Sequence, residues 1–178
     1  MPDLASILHV LPWIVFGWIV ICAGFIFTSV GRRDPRGWGI GISMWATVLT
    51  TQRVAAPPLA LQVIGIAGLV SALVLFHWAA ASIRGHVFSF ASSDDLPQFV
   101  HRAGPYVYIR NPFYASYLLA EIATVIMWPS AWGALVVGLA FGYFEWLARF
   151  EEGKFSRSGV AAEYADYKAR TGRLVPRL

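Results

Sequence analysis

The sequence predicts an all-α integral membrane protein: about five transmembrane helices, with a C-terminal helical hairpin and a cytoplasmic helical tail. Three observations carry this. Of the 178 residues, 57% are hydrophobic and only 13% charged, and the mean hydropathy is +0.58. A soluble domain carries about 25% charged residues, so this chain cannot cover itself with polar surface. Several apolar runs approach the roughly 20 residues needed to cross a bilayer. The basic residues sit at the ends of those runs, the topology signal of membrane proteins. That placement also argues against nucleic acid as a partner, despite a net charge of +4 and a pI near 9.5. The single cysteine, Cys22, lies inside the first apolar run and makes no intrachain disulfide. No Cys/His cluster has metal-ligand spacing, so no metal is expected.

The first span is expected from about Ile7 to Val30, with Trp13 as an interfacial anchor and Trp18 packed on another helix. Its start lacks a basic n-region, and Gly31-Arg32-Arg33 stands where a small-residue cleavage site would be, so it reads as an uncleaved anchor. Gly37 to Ala56 is short on strong apolar character, and charge decides it. If it crosses, the Arg32/Arg33/Arg36 turn, the Arg84–Arg110 segment and the basic tail share one side, and only Arg53 is left on the other. It is therefore read as a span. Pro57-Pro58 breaks the helix, and Leu59 to Ile83 forms the third span, with His77 as a packed residue near its end. Residues 84–111 form a loop in which Asp94 and Asp95 are solvated. Pro112 suits the first turn of the fourth span, where its missing N–H is not needed. That span ends near Trp128. Pro129-Ser130 makes a tight turn flanked by Trp128 and Trp132, a pair suited to the opposite interface. The fifth span runs from about Ala131 to Phe150, and its helix continues to about Ser156. Gly159 interrupts it. Ala161 to Arg170 forms a further helix with Tyr164 and Tyr167 on one face, and Pro176 ends it. The whole chain, 1–178, is one membrane domain: three spans in 1–83, the loop 84–111, the hairpin 112–150 and the tail 151–178.

The polar residues converge at one end of this arrangement. The segment RAGPYVYIRNPFYAS, Arg102 to Ser116, crowds Gly, Pro, Arg, Asn and three Tyr between two apolar runs. The hairpin brings Arg110, Asn111 and Tyr114 beside Arg149, Glu151 and Glu152. Glu145, Arg149 and Glu152 share a helix face, and Glu145 to Arg149 is a favourable i,i+4 order. Such a mixed-charge pocket suits a ligand with a carboxylate, an ammonium and ribose hydroxyls. Arg holds a carboxylate by two parallel hydrogen bonds, and Glu takes an ammonium or a diol. Gly104 lets backbone come close to a ligand. On the fourth helix Tyr114, Tyr117, Glu121, Thr124 and Trp128 fall on one face. Glu121 lies about 13 Å into the helix at 1.5 Å per residue, where a carboxylate must face protein or water. It reads either as a functional group or as a structural interhelical hydrogen bond.

GPYVYIRNPFY followed one hairpin later by EE resembles the integral-membrane methyltransferases of the isoprenylcysteine carboxyl methyltransferase and phosphatidylethanolamine N-methyltransferase group. The matching residues are Gly104-Pro105-Tyr106, Tyr108, Arg110, Pro112 and Tyr114, then Glu151-Glu152, Gly159, Tyr164, Tyr167 and Val175-Pro176-Arg177. They lie in about the last 75 residues. The resemblance implies that S-adenosylmethionine lies in a pocket made by both motifs and the tail, with an apolar or lipid-like acceptor coming from the bilayer. It implies a cofactor set of Gly104, Pro105, Tyr106, Tyr108, Arg110, Asn111, Arg149, Glu151, Glu152, Tyr164 and Tyr167. Arg110, Asn111, Tyr114 and Glu121 are the implied catalytic group. The methylated atom belongs to a carboxylate, a thiol or an amine. Two departures stand out: Asn111 replaces the usual His, and Ser116 the usual Gly. An amide can bind and orient but cannot take a proton, which moves any base to Glu121 or the Glu151–Glu152 pair. The short, Ala/Arg-rich chain points to a bacterial inner membrane with the site facing the cytoplasm. Two rivals fit the same layout. One is an NADPH-dependent reductase of the sterol reductase kind, holding a 2′-phosphate on Arg157, Lys168, Arg170 and Arg173. The other is a non-catalytic membrane protein whose polar clusters join helices.

Overall fold

Long uncharged runs must satisfy their backbone polar groups internally, which in lipid leaves helices. The structure, a computed structural model, describes residues 4–28, 36–51, 58–84 and 96–177. It contains α1 (Leu4–Thr28), α2 (Arg36–Thr51), α3 (Leu59–Ser82), a 3-10 turn (Gly104–Val107), α4 (Pro112–Met127), α5 (Ala131–Phe155) and α6 (Ala161–Arg170). Expectations for residues 31–35, Arg53, Pro57, Asp94 and Asp95 lie outside the described residues.

Three helices are long and apolar enough to cross a membrane, over Leu8–Ile26, Leu59–Ser82 and Ala131–Phe155. α2 and α4 have 16 residues each, about 24 Å at 1.5 Å per residue, short of a hydrocarbon core of about 30 Å. Both still run along the bundle. A Cβ on Gly39, early in α2, would overlap the Tyr143 ring of α5, and at its other end the Thr50 carbonyl accepts from Ser130 Oγ at the Pro129 turn (3.0 Å). The five helices thus alternate in direction between a Gly104 end and a Pro129 end. Among the described residues every Lys and Arg side chain, from Arg84 through Arg177, lies at the Gly104 end, and Arg36 begins α2 there.

α4 is the central helix. It touches α1, α2, α3 and α5, and an all-round apolar helix belongs in that position. Small residues let it approach α3. A Cβ on Gly65 would overlap Met127 and come within 2.8 Å of the Ala123 carbonyl, and one on Gly68 would meet Ala123 Cβ at 2.7 Å. Ala72, Ala79 and Ala120 are buried in the same core. The outer helices turn Ile14, Phe25, Val63, Val74 and Leu139 outward, as lipid-facing surfaces require.

The tryptophans divide differently from expectation. Trp18 does pack on another helix, donating from Nε1 to His77 Nε2 at 3.0 Å. Trp13 packs at a tilt against Trp45 of α2, ring centroids 5.1 Å apart. Trp132 is 70% exposed, but Trp128 is buried and stacks on His9 of α1 at 4.8 Å. Trp128 ends the central helix, so α1 covers it before it can reach an interface.

The α3–α4 contact gives a direct test. Gly65→Ala forces backbone or Met127 to move, at a cost of about 1–3 kcal/mol, and lowers Tm by several degrees in thermal unfolding of the purified protein. Gly138→Ala on α5, with nothing within 4 Å of the added atom, leaves Tm unchanged.

Candidate active site

The site begins with a left-handed glycine. Gly104 has φ +59°, and a Cβ there would overlap Ser82 Oγ at the end of α3. Its freedom therefore serves a close turn against α3. Pro105 and Tyr106 are buried in the following 3-10 turn, while Tyr108 is exposed. From Ile109 the chain runs extended and pairs with the tail in a parallel bridge, Ile109 to Gly172. Arg110 N donates to the Gly172 carbonyl at 2.9 Å, Asn111 N to that of Arg173 at 3.1 Å, and Gly172 N to that of Tyr108 at 3.1 Å. Gly172 is required here, since a Cβ would overlap the Val175 carbonyl. α6 locks the strap down with its two tyrosines. Tyr167 donates to the Tyr106 carbonyl at 2.6 Å, and Tyr164 stacks on Phe155 at 4.2 Å. Both are buried on one face of α6, as their spacing implied. Burial, against the pull of Arg110 and Arg102, pushes the Tyr167 hydroxyl up to about 12. Burial also raises Tyr106 and Tyr164, with the Glu151 and Glu152 charges respectively adding to it.

Glu152 is the electrostatic centre. Its Oε1 accepts from Arg110 Nε and Arg173 Nε, each at 2.9 Å, and its Oε2 from Arg173 Nη2 at 2.9 Å, with Lys168 Nζ at 3.4 Å. The Arg110 and Glu152 side chains are 7% and 6% exposed. A buried pair is tolerable when further hydrogen bonds satisfy it, and Arg110 also donates to the carbonyls of Thr171 and Lys168. Arg173 reaches on to Glu145, and its bonds to Glu152 hold its guanidinium above the usual arginine value. Glu151 points elsewhere. It accepts from the Tyr114 hydroxyl at 2.6 Å, and Tyr114 is stacked nearly parallel on Phe144, 5.8 Å between centroids.

The structure thus brings together Arg110, Asn111, Tyr114, Glu151, Glu152, Tyr106, Tyr164 and Tyr167. Arg149 joins only at the rim, and Glu121 lies apart. Arg149 is 68% exposed and pairs at 3.1 Å with the Glu145 carboxylate that Arg173 also reaches. Glu121 is fully buried, accepting from Ser43 Oγ of α2 at 2.7 Å. It lies seven residues from Tyr114, about 10 Å along the helix, with the buried Tyr117 between them on the same face. Asn111 turns its amide toward the tail, Nδ2 to the Arg173 carbonyl at 3.4 Å. Sequence reasoning missed Thr171, Gly172 and Arg173 as parts of this site. The one available signal was a Gly-Arg pair directly after a helix whose tyrosines face inward.

Breaking the central pairing should release the tail. Arg173→Ala removes a cation from a largely buried pair at a cost of about 3 kcal/mol. That raises the undocked population on the order of 100-fold, read as faster proteolysis and amide exchange across residues 161–177.

The family model for phospholipid methyltransferases matches residues 60–158, more than half of the 178-residue chain. No curated protein and no solved structure matches the chain. The matched region runs from α3 through Arg110 to the Glu151–Glu152 pair, so it holds both polar motifs and the hairpin between them. With its membrane-spanning helices, the chain belongs to the phospholipid methyltransferase family and is a multi-pass membrane methyltransferase.

Proposed function

We propose that the protein transfers the methyl group of S-adenosylmethionine to an apolar or lipid-like acceptor drawn from the bilayer. The observation that carries this is the unequal environment of two adjacent glutamates. Glu152 is bound by two arginines and a lysine and is a structural clamp. Glu151 takes its hydrogen bond from a neutral tyrosine hydroxyl. A carboxylate beside Tyr114 and near Tyr106 fits a cationic ligand, because aromatic faces attract cations. The residues present thus fit the cofactor's sulfonium and ammonium groups. Bound there, the cofactor supplies an activated methyl group.

The remaining work is placement, which is where such catalysis gains most. Tyr106, Tyr114 and Glu151 hold the cationic end. The Arg110–Glu152–Arg173 cluster fixes the tail over the site and helps exclude water, which strengthens electrostatics inside. Asn111 orients and takes no proton. A thiolate or carboxylate acceptor needs no base, whereas an ammonium must first lose a proton, and Glu151 is the group placed to receive it. The phospholipid acceptors in the family's name favour an amine headgroup. The cations gathered at the Gly104 end support a cytoplasmic orientation, and a bacterial inner membrane fits the composition.

The reductase alternative needs free cations for a 2′-phosphate. Arg173 is committed to Glu152 and Glu145, and Lys168 and Arg170 pair with Glu152 and Asp166, which leaves Arg157 alone of the four without an ion pair among the described residues. One cation is a thin site for a phosphate, which supports the methyltransferase reading.

S-adenosylhomocysteine should raise Tm, and NADPH should not; the opposite pattern would favour the reductase. Arg110→Ala and Glu152→Gln should both weaken S-adenosylmethionine binding in calorimetry, and unchanged affinity in both would remove the pocket assignment. Glu151→Gln should lower methyl transfer to an amine acceptor by about 100-fold or more, measured with radiolabelled cofactor.

A further inference from the structure

Away from this site, the seam between α2 and α4 contains buried polar atoms that the protein leaves without partners. Glu121 Oε1 accepts from Ser43, but Glu121 Oε2 has no hydrogen-bond partner among the described residues. Thr47, one turn beyond Ser43 on α2, is fully buried, and its Oγ1 also has none. Thr47 is unusual on its own helix. A helical hydroxyl ordinarily bonds back to the carbonyl three or four residues earlier. Ser43 does so to Ile40 (2.9 Å), Thr50 to Ala46 (2.7 Å) and Thr51 to Thr47 (2.8 Å). On α4, Thr124 bonds back to Ala120 at 2.9 Å. Of the four hydroxyls on α2, only Thr47 makes no hydrogen bond to its own backbone.

We propose that the α2–α4 seam is a binding site for an internal water molecule, which bridges Glu121 Oε2 and Thr47 Oγ1. Leaving a buried polar atom unsatisfied costs about 1–3 kcal/mol, and two such atoms on facing helices, one turn apart, share a simple remedy. A water donates to the carboxylate oxygen and accepts from the threonine hydroxyl. Buried water settles where two to four polar partners converge. A metal cation fits less well. Hard cations draw on about six or more oxygens, more than the one carboxylate and the few hydroxyls along this seam supply. The water ties α2, a short helix, to the central helix. It also engages Glu121 with α2 and not with the Glu151 site.

A double-mutant cycle on the full-length protein tests the bridge, because the two residues are expected to be coupled without touching. Thr47→Val should lower Tm by about 2–4 °C in the otherwise unaltered chain. In a Glu121→Leu background it should have almost no effect, since the water's other partner is gone. Thr47→Ser, which keeps the hydroxyl, should retain the coupling and guards against a packing explanation. Equal effects of Thr47→Val in both backgrounds would overturn the proposal. So would a Tm that rises with sodium over potassium or choline and loses that rise in Glu121→Leu, which would make the ligand an ion.

Discussion

The site depends on one buried carboxylate. Glu152 draws in Arg110 from the segment before α4 and Arg173 from beyond α6, so three distant stretches meet at one group. A chain with so few charges cannot leave this one unpaired in a desolvated setting, because a lone buried charge is far costlier than a satisfied pair. Such clusters add little net stability but resist wrong partners. In this protein the consequence is registry. With Glu152 held by both arginines, the strap at Gly172 is paired with Ile109, and Asn111 faces the Arg173 carbonyl.

The bundle exists to put the two halves of that cluster side by side. α4 sits among four neighbours, and glycines on α3 let it come close, leaving only a strip around Ile122 exposed. Once α4 is fixed, the Pro129 turn returns α5 along it, and the two open ends of the hairpin emerge together. α2 packs against both arms, so the distances at the mouth of the hairpin, where the Tyr114–Glu151 and Arg110–Glu152 contacts are made, are set by three helices together.

Most of the fold was legible in the sequence because proline and glycine punctuate it. Pro112, Pro129 and Gly159 set boundaries that the helices respect to within a few residues, and the spacing of Tyr164 and Tyr167 gave the inward face of α6. The site was legible in part. Arg110, Tyr114 and the glutamate pair were found through motif and hairpin together. Arg149 stands at the rim, because three residues on a helix leave it roughly 60° round from Glu152, and it reaches the cluster through Glu145. Arg173 satisfies Glu145 and Glu152, which lie only about 20° apart. Its role could not be read beforehand, since a tail's docking direction is a tertiary fact. Gly104 shows the same limit. Its left-handed turn was foreseeable in kind, but only the end of α3 reveals what presses against it.

The two arms of the hairpin are unequal: α5 has 25 residues and α4 has 16. Starting from a common turn, α5 outruns its partner by about 13 Å at 1.5 Å per residue. The glutamates ride on that overhang. Their height relative to the headgroups is then set by how deep the Pro129 turn sits in the opposite leaflet. A rigid helix in a thicker bilayer is drawn inward or tilts less, and in a thinner one it projects or leans further. The lipid hydrocarbon thus acts as a gauge block for the glutamate end of α5, and the bilayer's thickness becomes one of the dimensions of the charged cluster there.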